Sequence, residues 1–112
     1  MEFKAIYRYA RVSPKKARLV MDLVRGRSAN DALKVLRVTP NRGAYYIDKL
    51  LRSAIANADE SLQADMESLR VKDARVDTGP TLKRWRSRSR GQAGMVLKRS
   101  SHLTIVLCDE PK

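Results

Sequence analysis

Residues 83–90 read KRWRSRSR, and the arginines at 84, 86, 88 and 90 all fall on even positions. In an extended chain they project from one face about 6.6 Å apart. Trp85, Ser87 and Ser89 take the other face. Such a row repels itself at close range and becomes favourable once phosphates neutralise it. Lys15, Lys16 and Arg18 form a second basic cluster, flanked by Arg8, Arg11, Arg25 and Arg27. They follow Ser13-Pro14, a helix cap with proline in the first helical position. Cations in a first helical turn oppose the helix dipole, and that position suits a bound anion instead. Lys98, Arg99 and His102 make a third basic group. All three groups point to phosphate chemistry, with Trp85 able either to stack on a base or to pack against the chain.

Catalytic chemistry has no comparable set of residues. The single His102 and single Cys108 lie six residues apart on one strand-like run. No glycine-rich phosphate loop, metal-ligand cluster or nucleophile elbow is present. His102 is expected to contact RNA or backbone, and Cys108 to serve as a small apolar strand residue. No catalytic residue, metal or cofactor is expected.

The elements that must carry these residues follow from periodicity. Residues 2–10 alternate as a strand, with Phe3, Ala5, Tyr7 and Tyr9 expected on one face. A helix from Ser13-Pro14 carries Ala17, Val20, Met21 and Val24 inward and stops at Gly26. Ser28 with Asp31 opens a short helix with Leu33 and Leu36 inward. Thr39-Pro40 is expected to cap a third, on which Ala44, Ile47, Leu51, Ala54 and Ala58 form the apolar stripe. A polar connection begins at Asp59-Glu60-Ser61. Residues 69–77 form a second strand whose alternation slips, as either a bulge near Asp73 or a twisted edge strand would make it do. Residues 101–108 form the clearest strand, with Leu103, Ile105 and Leu107 on one face. This order predicts an α+β fold: three helices packed on a three-stranded antiparallel sheet. The 22 residues 79–100 are too long for an ordinary hairpin loop. They predict an extended β-hairpin reaching about 30 Å from the body. It has no core of its own and is expected to order on its partner.

At 112 residues the chain fits a single domain, with a body of about 1–78 and 101–112 and a finger of 79–100. One cysteine excludes a disulfide framework. No run is long and apolar enough for a membrane helix, and no signal peptide is expected. The net charge is +12, and its distribution is uneven. Residues 1–27 hold +6, residues 28–77 balance to zero, and residues 78–108 hold +7 without one carboxylate. A cytoplasmic protein with a polyanionic partner, most often nucleic acid, is the expectation.

Several motifs in order resemble one family. Lys83-x4-Arg88-Ser89-x-Gly91-Gln92, then His102-Leu103-x-Ile105-x-Leu107, is similar to the signature of the bacterial large-subunit ribosomal protein twenty-two, the exit-tunnel protein family. Arg11-Val12-Ser13-Pro14-Lys15-Lys16-Ala17-Arg18 and Asp22-Leu23-Val24-Arg25-Gly26-Arg27 resemble its first helix. Ser53-Ala54-Ile55-Ala56-Asn57-Ala58 resembles the end of its long helix, and Val76-Asp77-x-Gly79-Pro80 the entry to its hairpin. The resemblance implies a structural constituent of the large subunit that binds 23S rRNA, supports early assembly and lines the nascent-peptide exit tunnel. The implied partners are rRNA, neighbouring ribosomal proteins and the nascent polypeptide, with the chain a monomer in the ribosome. The hairpin residues that match are Lys83, Arg84, Arg88, Arg90 and Gly91. The tip, Trp85 to Gln92, departs from the family pattern. Trp85-Arg86-Ser87 replaces an aliphatic pair and a proline, and Gln92 replaces an arginine. The alternative from charge alone is a free nucleic-acid-binding regulator or nucleoid-type protein.

Overall fold

The computed structural model describes residues 2–61, 66–87, 91 and 93–109. Strand β1 (Glu2–Ala10) leads into three helices, α1 (Pro14–Val24), α2 (Ala29–Val38) and α3 (Arg42–Glu60). Strands β2 (Arg70–Thr78), β3 (Leu82–Ser87), β4 (Ala93–Lys98) and β5 (Ser101–Cys108) complete the chain. The body sheet has the order β1-β5-β2 and is antiparallel, and β3 pairs with β4 in a separate antiparallel ribbon. This is the α+β arrangement that the apolar patterning predicts.

Each helix starts where its cap says it should, with one correction. Ser13 Oγ accepts from the Lys16 N–H at 3.3 Å, and Pro14 stands at the first helical position. Ser28 Oγ likewise accepts from the Asp31 N–H. Thr39-Pro40 does not cap α3. The Thr39 N–H bonds to Leu36 O and its hydroxyl donates to Val35 O, so Thr39 closes α2 instead. Asn41 caps α3 through Oδ1, which accepts from the Ala44 N–H at 3.3 Å. The inward stripe of α3 is as expected, and all five of its residues are buried.

In the central strand β5, Leu103, Ile105 and Leu107 are fully enclosed on one face, while His102 and Val106 on the other are half-buried. Its position between two partners explains why its alternation is the cleanest in the chain. In β2 two residues, Lys72 and Asp73, fall where the ladder steps from Leu107 to Val106. This bulge reverses the parity of the buried side chains, from Val71 to Ala74 and Val76. The outer edge of β2 is covered: the Gly26 N–H donates to Val71 O, the Val71 N–H to Arg27 O, and the Ala29 N–H to Leu69 O. Gly26 reaches that position with φ at +82°, which terminates α1.

A second bulge lies in β1. Tyr7 pairs with Leu103 and Ala10 with Ser101, so Arg8 and Tyr9 together oppose His102. Tyr9 takes φ +60°, and its side chain turns away from the core into solvent. The expectation that Tyr9 shares the face of Phe3 and Ala5 therefore fails. Ala10 takes the buried place instead.

The ribbon is fastened to the body at its root. The Gly79 N–H donates to Ser100 O, the Ser100 hydroxyl donates to Pro80 O, and the buried Ser101 hydroxyl donates to Val12 O. A Cβ at position 79 would lie 2.7 Å from Ser100 Oγ, so a larger residue there would force Ser100 to shift. The molecule measures 62 × 24 × 18 Å with a radius of gyration of 17.0 Å. A compact chain of this length would have about 13 Å. The ribbon accounts for the elongation.

Candidate nucleic-acid interface

The root of the ribbon meets the starts of α1 and α3 across a cleft of about 850 Å³. Arg11 and Lys16 line it from the α1 side, Arg42 from the first residue of α3, and Arg84, Lys98 and Arg99 from the ribbon. Six cations thus surround one hollow, and no carboxylate lines it among the described residues. An adjoining hollow of about 400 Å³ shares Arg11, Lys16 and Arg42 and reaches Asn41 and Gly43. Two helix N-termini therefore open on the same basic surface. Neither α1 nor α3 has an acidic residue in its first turn, whereas α2, which lines neither hollow, has Asp31 there. The positive helix ends and the side-chain cations add, which suits a polyanion.

The sequence-derived residues separate into three groups. Arg11, Ser13, Lys16, Arg84, Lys98 and Arg99 are brought together in the cleft. Arg8 and Lys15 are exposed close to it along the chain, while Lys83, Trp85 and Arg86 are exposed farther out on β3. The β3–β4 register, Leu82↔Lys98 to Ser87↔Ala93, keeps Arg84 and Arg86 on one face and Lys83 and Trp85 on the other. Trp85 stands opposite Met95 in that register and is 72% exposed, so its indole is free to stack. Gly91 has φ +72° between the two arms. Arg88, Ser89, Arg90 and Gln92 lie outside the described residues.

The third group is bonded within the body. Arg18 Nη2 donates to Val76 O at 3.1 Å. Arg25 donates to Ala74 O through Nε at 3.2 Å and pairs with Asp22 at 2.6 Å. Arg27 Nε donates to Leu23 O at 2.6 Å. Arg18 and Arg25 thereby tie α1 to β2. Charge in the sequence does not distinguish them from Lys16, because Arg18 lies on the same helix and Arg25 directly follows it. Ser13 is engaged as the cap, and His102 Nδ1 accepts from the Tyr9 N–H at 3.1 Å.

Two cleft residues escape the sequence reading. Arg42 carries the same signal as Lys15 and Lys16, a cation in a first helical turn. Placing the start of the helix at Pro40 hides it. Tyr9 is hidden by the bulge, which period-2 reasoning does not anticipate. Among the described residues no group of three His, Cys, Asp or Glu could hold a metal ion. Among the described residues no helix is long and apolar enough to cross a membrane.

The chain is also similar to known proteins. The family model described as ribosomal protein L22p/L17e matches residues 5–108. A protein of Syntrophobacter fumaroxidans named large ribosomal subunit protein uL22 is 52% identical over 110 residues, 98% of this chain and 100% of the relative. The protein of the same name from Thermus thermophilus is 51% identical over 107 residues, 96% of this chain and 95% of the relative. With a match that runs from β1 to the end of β5 and takes in both basic surfaces, the chain belongs to the ribosomal protein L22p/L17e family.

Proposed function

We propose that the chain is a structural constituent of the large ribosomal subunit, working in the cytoplasm without catalysis. It binds 23S rRNA, supports subunit assembly, and its basic hairpin lines the nascent-peptide exit tunnel. The carboxylate-free cleft at the ribbon root carries this reading. The cleft joins the N-terminal and finger charges into one surface, as a protein seated between RNA segments needs. Arg8, Arg11, Lys15, Lys16, Lys98 and Arg99 dock the body, and Lys83, Arg84 and Arg86 continue along the finger. Phosphate contacts supply most of the affinity, and Ser13 caps the α1 start beside them. Neighbouring ribosomal proteins and the nascent chain are further partners, and the chain acts as a single-domain monomer within the particle.

Fractionation of a cell lysate in moderate salt tests this. The chain is expected to sediment with large subunits. Recovery with chromosomal DNA would favour a free nucleic-acid-binding regulator and overturn the assignment.

A further inference from the structure

Tyr9 combines three features that the fold does not need. Its backbone is left-handed at φ +60°, which a bulky side chain rarely adopts. It stands on the two-against-one bulge opposite His102, and bulges of this kind re-aim a side chain. Its ring lines the six-cation cleft and is 62% exposed. His102 stabilises this arrangement twice: Nδ1 accepts the Tyr9 N–H at 3.1 Å, and the two rings meet edge to face at 4.9 Å. A strand serving only the sheet would continue its alternation and bury the ring. Strain of this sort is characteristic of binding sites.

The cleft offers matching chemistry around the ring. Arg11, Lys16 and Arg42 lie on the helix side, and Pro80 and Leu82 supply apolar surface from the ribbon. The volume, about 850 Å³, falls within the usual range of about 300–1,000 Å³ for small-ligand sites. We propose that Tyr9 is a stacking platform for one unpaired RNA base, whose flanking phosphates are held by Arg11, Lys16 and Arg42. His102 is its positioning residue. A base inside a duplex keeps its faces covered by its neighbours, so the site selects a looped-out or single-stranded nucleotide. This deepens the proposed rRNA binding and rests on it.

The test compares two probes of equal length and charge, single-stranded oligo(A) RNA and an abasic oligonucleotide with the same number of phosphates. Tyr9→Asn removes the ring, and Asn tolerates the left-handed backbone. Stacking on one aromatic side chain contributes a factor of about 5 to 150 per base. Tyr9→Asn is therefore expected to weaken oligo(A) binding at least fivefold and leave the abasic probe unchanged. Tyr9→Phe should match the wild type on both. Tyr9→Gly, which also accepts the backbone angle, repeats the comparison if the Asn variant folds poorly. Equal oligo(A) affinity in wild type and in the folded Asn or Gly variant would overturn the stacking role while leaving phosphate binding intact. Failure of the wild type to bind either probe or large-subunit rRNA would overturn the proposed function and this inference together.

Discussion

At the scale of single residues, the arginines and lysines of this chain have two occupations. Arg42, Lys16 and Arg99 face a hollow with no carboxylate, while Arg18 and Arg25 donate to carbonyls of β2. Arg42→Gln is expected to weaken rRNA binding and reduce the slope of log affinity against log salt by about 0.7–0.9, the contribution of one phosphate. Its melting temperature should barely change, because Arg42 is exposed and is held on the surface by Tyr46, through a long 3.4 Å donation to Oη and a ring contact at 5.9 Å. Arg25→Gln should do the reverse. It loses the donation to Ala74 O and the Asp22 pair and costs about 1–2 kcal/mol of stability, read by denaturant unfolding. The types and spacing of the charged residues identify a polyanion binder from sequence. They do not tell a cleft cation from a bonded one: Arg25 has the Ala74 carbonyl of β2 within reach, whereas Lys16 lines the cleft.

One exposed ion pair has a pH signature. Lys72 donates to Glu2 across the sheet, and this hydrogen bond and charge hold the Glu2 carboxyl below its ordinary value of 4.5. A carboxyl depressed on folding adds stability that is fully present above its ordinary value. That stability is lost as pH falls through the depressed one. Both partners are about half exposed, so the effect is small and weakens with salt. An NMR titration of Glu2 should give a midpoint below 4.5 in the wild type and an ordinary one in Lys72→Met.

At the scale of elements, the helices and β5 are legible in sequence because each obeys one rule. Caps fix the helix starts, and the fully buried face of Leu103, Ile105 and Leu107 fixes β5. The misread boundaries lie where one residue could serve two elements. Thr39 has the side chain of an N-cap, yet its hydroxyl bonds backwards to Val35 O and ends α2. The bulges in β1 and β2 are similar. The β2 slip is visible because apolar residues stand on both sides of it. The β1 slip is hidden because Tyr9 looks apolar and continues the alternation. The root of the ribbon is the junction where a small change matters most. Gly79→Ala places a methyl 2.7 Å from Ser100 Oγ and breaks the Ser100–Pro80 bond. A loss of about 1 kcal/mol is expected in thermal unfolding, with a matching loss of rRNA affinity as the ribbon side of the cleft shifts. An unchanged melting temperature would mean that the root is not held through Ser100.

For the whole molecule, the balanced middle segment builds the body, and the two charged flanks converge on it. The +6 of residues 1–27 and the +7 of residues 78–108 are far apart in sequence. Ser101 Oγ on Val12 O and the Gly79–Ser100 bond bring them to one cleft. That convergence is a tertiary fact, and no segment-by-segment reading contains it. Beyond the cleft, the register carries Arg84 and Arg86 outward on one face of the ribbon, toward the tip. On the proposed function, the body holds rRNA at the root and the ribbon extends inward from there. The most direct measurement is photocrosslinking from position 86 in assembled large subunits carrying a nascent chain. The account predicts adducts to 23S rRNA and to the nascent polypeptide. Adducts confined to components of the outer subunit surface would contradict it.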